Sequence, residues 1–356
     1  MTLLIRSDAS VSIGPGHVMR CLALAQAWQD DGGRVIFAMA ESTPALAKRL
    51  RAEGIDVVHL EVRPGSDSDA NRVNELAHER DASWIVVDGY QFDGAYQRAI
   101  KSAGHKLCFI DDNGHAENYS ADIILNQNLH ATDSLYPNRA VYTEPVLGPR
   151  YALLRREFRE WSTWRREIRT LGAKVLVTVG GSDPNNITLP VIEALQLVKA
   201  NNLQAVIAVG GSNPNAAAIE SASRQAGPFA RVVSDANNMP ELMAWADVAI
   251  AAAGIVSWEI CALGLPAILF PVAANQQATA DHLRNLGAAR VIPEILSCGA
   301  IELAEEISQL LGSFEDRKRI SQAARQLVDG LGCERVVSAL HKATELSMGQ
   351  PSGCRA

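Results

Sequence analysis

The chain has 356 residues, 47% of them apolar and 21% charged, with a formal net charge of −7 and 5% aromatics. That composition fits a globular protein of two domains, and the acidic balance argues against a nucleic-acid surface of basic patches and stacking rings. No signal peptide or bilayer-spanning run is evident, and six scattered cysteines read as reduced thiols, so the expectation is a cytoplasmic protein without metal or disulfide framework. Leu3–Ile5 reads as a first strand, followed by a glycine-rich turn through Ile13, Gly14, Pro15 and Gly16. Val18, Cys21, Leu22, Leu24 and Ala25 then recur at helical spacing, so His17 opens a helix.

A helix start gathers free N–H groups and the positive end of the helix dipole, which favour a neutral imidazole able to accept a proton. Arg20, three residues on and on the same face, pushes the same way. Gly14 and Gly16 would let a ligand approach the backbone. The plainer reading of the same residues is a tight turn with a surface histidine.

The first half continues as alternating strands (34–40, 55–60, 84–88, 106–110, 123–126) and helices (44–53, 69–80, 93–103), the pattern of a parallel sheet covered on both faces. Ligand groups gather at the carboxyl ends of such strands. That rule selects Asp8, Asp88-Gly89-Tyr90, Asp111-Asp112-Asn113 and Asn126-Gln127-Asn128, each of which could equally be a cap or turn residue. A charged helix is expected over 153–168, with the inter-domain connection around it. The second half repeats the strand–helix alternation from Lys174 to Ile292 and closes on helices only, to about Ser347. The expected division is an N-terminal Rossmann-like domain (1–158), a linker (159–171), a C-terminal Rossmann-like domain (172–330), a last helix (331–348) able to pack back on the first domain, and a disordered tail (349–356).

The first loop is not a dinucleotide fingerprint, because Met19 stands where the third glycine belongs, and no P-loop, zinc or calcium motif is present. In the second half, Gly180-Gly181-Ser182 precedes a helix and could hold a phosphate, or could simply be followed by an Asp183 or Asn185 cap. Gly254 leads into Ser257 and Glu259. The glutamate could accept hydrogen bonds from ribose hydroxyls or merely favour its helix N-terminus. Asn275, Gln276 and Gln277 offer amides suited to sugar and phosphate oxygens, or a polar helix cap.

The run from Ile5 to Leu22, with Val87–Tyr90, Ile110–Asp112, Leu125–Asn128, Gly148–Phe158, Gly180–Pro184 and Asn275–Gln276, closely resembles the PseG family of UDP-2,4-diacetamido-2,4,6-trideoxy-β-L-altropyranose hydrolases. The second half is also similar to the UDP-binding half of the MurG glycosyltransferases, with Glu259 in the ribose position. The resemblance implies a GT-B fold, two Rossmann-like doubly wound domains facing a cleft. It implies cofactor- and metal-independent removal of UDP from a UDP-sugar by water attack at the anomeric carbon with inversion, in pseudaminic acid biosynthesis. His17 matches the family's general base, Tyr90 a tyrosine of the sugar site and Asn275 a residue near the pyrophosphate. Asp8, Gly14, Gly16, Arg20 and Asn126 are expected on the sugar side. Gly180, Gly181, Ser182, Ser257, Glu259, Asn275 and Gln276 are expected on UDP. The competing readings are a glycosyltransferase of the same fold, a hydrolase of a different UDP-diacetamido sugar, and a non-catalytic nucleotide-sugar sensor. A monomer, binding neither nucleic acid nor membrane, is expected.

Overall fold

The computed structural model describes residues 1–10, 14–181, 183–211 and 213–348. Its chain divides into two compact units. One comprises Met1–Asp8, His17–Arg155 and the segment from Leu331 on; the other comprises Ala9–Gly16 and Arg156–Gly330.

The first unit is built on the apolar runs seen in the sequence. Its strands are β1 (Thr2–Ser7), β2 (Arg34–Met39), β3 (Asp56–His59), β4 (Ala82–Asp88), β5 (Leu107–Ile110), β6 (Ile123–Asn126) and β7 (Glu144–Leu147). They form one sheet in the order β3-β2-β1-β4-β5-β6-β7, every pairing parallel. Helices α1 (Gly16–Asp30), α2 (Pro44–Ala52), α3 (Asp67–Glu79) and α4 (Gly94–Ser102) provide the crossovers. Thr43, Ser66 and Asp93 cap α2, α3 and α4 with side-chain oxygens, so each helix begins where a capping residue stands. Leu4, Ile85, Val87, Phe109 and Ile124 fill the core beneath α3 and α4. The sheet order reverses between β1 and β4, the position at which parallel sheets open a crevice beyond their strand ends.

β7 falls in the stretch read as connection. Pro145 weakens a strand signal, but β7 lies at the edge of the sheet, where a missing N–H costs one ladder bond at most. The helix expected over 153–168 is replaced by a short 3₁₀ stretch, Arg156–Trp161, and irregular chain. Here tertiary bonds override local propensity. Arg325 donates to the Ser162 carbonyl, Arg317 donates to the Thr170 carbonyl at 3.0 Å, and the Arg166 guanidinium reaches the carbonyls of Met243 (2.7 Å), Ala246 (2.6 Å) and Leu263 (3.2 Å).

The second unit repeats the plan with β8 (Lys174–Thr178), α5 (Thr188–Leu197), β9 (Gln204–Val209), α6 (Ala216–Ala226), β10 (Ala230–Ser234), α7 (Met239–Trp245), β11 (Val248–Ala252), α8 (Val256–Ala262), β12 (Ala267–Phe270), α9 (Gln277–Asn285), β13 (Arg290–Val291), α10 (Ala300–Gly312) and α11 (Phe314–Leu327). The order is β10-β9-β8-β11-β12-β13, again all parallel, with its reversal between β8 and β11. Val175, Val177, Ile207, Ile250 and Phe270 form its core with Ile307 and Leu311 of α10.

The last helix, α12 (Gly332–Met348), belongs to the first unit. Thr344 accepts from the Trp84 indole at 2.9 Å, His341 stacks on Trp28, and its Nε2 lies 2.7 Å from Asp31. The residues read as a tail, 349–356, lie outside the described residues.

Candidate active site

At the β1/β4 reversal the first unit assembles a closed set of charges. Asp88 ends β4 and is fully buried; its Oδ1 lies 2.7 Å from His17 Nδ1 on the first turn of α1, although the two residues are 71 apart in sequence. Arg20, one turn further along α1, grips the same carboxylate with two donors, Nε to Oδ2 at 2.7 Å and Nη2 to Oδ1 at 2.6 Å. Its third nitrogen, Nη1, donates to Asp112 Oδ1 at 2.7 Å. Asp112 is held in turn by Asn128 Nδ2 at 2.7 Å and by the Tyr90 hydroxyl at 2.9 Å.

The electrostatics follow from this geometry. Burial alone would push the Asp88 carboxyl up, but the Arg20 guanidinium and His17 outweigh it and hold Asp88 well below the usual carboxylate range. Asp112 is likewise buried yet lowered, chiefly by Arg20. Burial opposes the Arg20 charge, and the two carboxylates raise its pKa regardless. Arg20 Nη2 also stands 3.1 Å from His17 Nδ1, but an ionised Asp88 can only accept and is nearer, so the proton on His17 belongs on Nδ1. In the neutral ring Nε2 then carries the lone pair, and it has no partner among the described residues. The Tyr90 ring stands edge-on to His17, centroids 5.0 Å apart, and is 41% exposed. The pair supplies a fixed imidazole base with its orienting carboxylate, beside an aromatic face accessible to a ligand.

Other sugar-side expectations are placed differently. Asp8 does not serve His17. Its Oδ1 accepts from the backbone of Ala40 and Glu41 at 2.8 and 3.0 Å and pairs with buried Arg6 at 2.6 Å, while Oδ2 accepts from Gln91 at 3.1 Å. It ties strand ends together. Asn126 is fully buried and spent internally: its Nδ2 donates to the Asp112 carbonyl (3.1 Å) and the Tyr136 hydroxyl (2.9 Å), and its Oδ1 accepts from Asn128. It shapes the Asp112 loop. Gly14 adopts φ +75°, where a side chain would be strained, and its N–H donates to the Ser10 carbonyl at 2.8 Å. Ile13 lies outside the described residues. Gly16 is the first residue of α1. The strand-end rule selects Asp88, Asp112 and Asn128, but nothing local distinguishes them from turn residues; their partners come from α1 and from the loops after other strands.

At the β8/β11 reversal the second unit carries a different kind of rim. Gly180 has φ +100° and open space where a Cβ would point, and Gly181 lies so close to Pro15 that a Cβ would come within 2.5 Å of the proline ring. Ser182 lies outside the described residues. Asp183 is a cap: it accepts from the backbone of Ile187 and Thr188 at 2.8 and 3.0 Å and from the Thr188 hydroxyl at 2.6 Å. The similar Gly210-Gly211 turn is already filled, since the Gly211 N–H donates to Asp235. Across the reversal, Ser257 in the first turn of α8 is fully buried, with no hydrogen-bond partner for its Oγ among the described residues. Glu259 is buried two residues on, and Asn275 is exposed beyond β12. Gln276 Oε1 accepts from the Val272 N–H at 3.0 Å, and its Nε2 lies against Gly254. Among the described residues no group of three metal-ligating side chains could hold a metal ion, and no helix is long and apolar enough to cross a membrane.

Residues 174–329 match the family model of the glycosyltransferase family 28 C-terminal domain. The chain is 27% identical over 81% of its length, and 97% of the relative's, to the UDP-2,4-diacetamido-2,4,6-trideoxy-beta-L-altropyranose hydrolase of Campylobacter jejuni. It is 25% identical to an uncharacterized protein of Methanocaldococcus jannaschii, over 82% of its own length but only 60% of that protein's. Among solved structures, MurG of Acinetobacter baumannii superposes over 96% of this chain and 99% of its own with a TM-score of 0.66 at 17% identity, which establishes the GT-B fold. The resemblance to the PseG hydrolases and to MurG read from the motifs is borne out.

Proposed function

We propose that the chain hydrolyses a UDP-sugar, the class of substrate in the name of its C. jejuni relative, and that it does so at the anomeric carbon with inversion. The observation that carries this reading is the His17–Asp88 pair. A water on His17 Nε2 gives up a proton to that nitrogen as its oxygen bonds to the anomeric carbon. The bond from that carbon to the phosphate oxygen breaks, and UDP leaves with the electron pair. Asp88 holds the ring in the competent tautomer and stabilises the imidazolium that forms. Tyr90 faces the sugar. Diphosphate is already a good leaving group and needs its charge stabilised more than its oxygen protonated. The Gly180 and Gly181 amides and the Ser257 hydroxyl are suited to that without a metal. Glu259 is read on the ribose, with Asn275 and Gln276 toward the pyrophosphate. A place in pseudaminic acid biosynthesis is what the resemblance to the PseG family implies. The working unit is read as a cytoplasmic monomer with reduced cysteines; Cys261 is buried in apolar surroundings that push its thiol up to about 12, which suits an inert core residue.

A second reading is favoured by the match of residues 174–329 to a glycosyltransferase domain: transfer of the sugar to an acceptor hydroxyl in place of water. UDP release from UDP-2,4-diacetamido-2,4,6-trideoxy-β-L-altropyranose and related UDP-diacetamido sugars, without acceptor and in ¹⁸O-labelled water, separates them. The hydrolase releases UDP and places the label on the sugar. Label on the phosphate would move the attack to phosphorus and overturn the role given to His17. Release that requires an added acceptor would establish the transferase.

A further inference from the structure

A second histidine, His115, also packs against Tyr90. The His115 ring lies 5.8 Å from the Tyr90 ring at an interplanar angle of 88° and is largely covered. Its Nδ1 is 3.2 Å from Asp111 Oδ1, and its Nε2 is 2.9 Å from the carbonyl oxygen of Phe92. A carbonyl can only accept. Asp111 is also an acceptor here, because its carboxylate already receives the Asn113 N–H (2.8 Å), the Gly114 N–H (3.0 Å) and the Tyr119 hydroxyl (2.5 Å). Both ring nitrogens must therefore carry hydrogen for both contacts to be hydrogen bonds, and only the imidazolium does.

We propose that His115 is a positioning residue, a doubly protonated cation at neutral pH that fastens the loop carrying Tyr90 to the loop carrying Asp112. It reaches the first loop through the Phe92 carbonyl and the second through Asp111. Release of its proton frees one of these two tethers, and Tyr90 and Asp112 lose their register against His17. The groups around it agree. Asp111 and Asp112 come from its own loop, and Tyr119, from the segment that follows, bonds to Asp111. Tyr90 and Phe92 come from the β4 loop, and the Phe109 ring of β5 packs at 5.8 Å. The tyrosines nearest the carboxylate stay protonated, since burial and Asp111 push the Tyr119 and Tyr136 hydroxyls up. Burial works against the His115 charge, but Asp111, the Phe92 carbonyl and Asp112 outweigh it and raise its pKa above the ordinary value.

The effect on turnover rests on the proposed hydrolase reading; the protonation state does not. Long-range ¹H–¹⁵N spectra of the full chain, assigned with His115→Gln, test the second directly. Both His115 nitrogens are expected at imidazolium shifts at pH 7, with a midpoint above that of a free histidine. A neutral tautomer at pH 7 overturns the proposal. The sign of the linkage gives an independent arm. A histidine whose folded pKa is raised contributes stability fully present below its unfolded pKa and lost as pH rises through the folded value. The melting-temperature gap between wild type and His115→Gln should therefore be wide at pH 6 and narrow at pH 9; an equal gap at both overturns it. In UDP release from UDP-2,4-diacetamido-2,4,6-trideoxy-β-L-altropyranose, the wild type should lose kcat on the alkaline side, and His115→Gln should lack that limb. Retention of the limb counts against the positioning role, whereas a wild type that releases no UDP removes the hydrolase reading and leaves the spectroscopic result standing.

Discussion

The two sheets end in rims of opposite character. In the first unit, Asp88, Arg20, Asp112, Asn128 and Tyr90 bond to one another and to His17 Nδ1, and His17 Nε2 has no partner among the described residues. In the second, Gly180 is open and Ser257 Oγ is buried with no hydrogen-bond partner among the described residues. A proton acceptor must be held within a fraction of an ångström, and mutual bonding achieves that. A diphosphate brings its own acceptors and requires donors left vacant for it. On the proposed function, the saturated rim does chemistry and the unsaturated one binds.

Substitutions can break this contrast. The largest effect is expected from His17→Ala: turnover should fall about a thousandfold while UDP affinity, by calorimetry, changes less than about twofold. Loss of both together would make His17 a binding or folding residue. Asp88→Asn should lower turnover by about a hundredfold or more through the wrong tautomer. It should also destabilise the protein by about 3 kcal/mol, since one partner of a buried ion pair is removed. Because the folded pKa of Asp88 is depressed, its contribution to stability is complete above the ordinary carboxylate pKa and lost as pH falls below it. The difference in melting temperature between wild type and Asp88→Asn should therefore shrink at low pH, and a constant difference would contradict the ion pairing. On the proposed function, Ser257→Ala should weaken UDP binding about tenfold, with stability changed by less than about 0.5 kcal/mol, because its hydroxyl has no hydrogen-bond partner among the described residues. Unchanged UDP affinity would remove Ser257 from the site. The smallest effect is expected for Asp183→Ala, about 1 kcal/mol of stability from the lost α5 cap with unaltered UDP release; a matching fall in UDP affinity would mean that Asp183 also serves the ligand.

Much of the architecture could be read from periodicity, because fully buried parallel strands such as Leu3–Ile5 and Ala267–Phe270 are nearly continuous apolar runs between turn residues. What escaped was decided at long range. β7 survives Pro145 because it is an edge strand, and the chain around Ser162 and Thr170 stays irregular because Arg325 and Arg317 claim its carbonyls. The site divides the same way. His17 announces itself through the glycines before it. Asp8 and Asp88 look alike in sequence, each an aspartate at the end of an apolar strand. Only the fold sends one to the backbone of Ala40 and Glu41 and the other to the imidazole. The helix dipole and Arg20 are visible near His17 in the sequence, whereas the carboxylate of Asp88 bonded to the ring lies 71 residues away.

The return of α12 to the first unit has a consequence for synthesis. Trp84 lies in the middle of the first sheet and Trp28 at the far end of α1, and both wait for residues 341–344 to cover and bond them. The ribosome makes the whole of 156–330 before those residues exist. The second unit can therefore finish folding while the first, though begun earlier, is still incomplete. A chain interrupted after Gly330 would carry a finished second unit and an open first unit, with two indoles uncovered for chaperones and proteases to find.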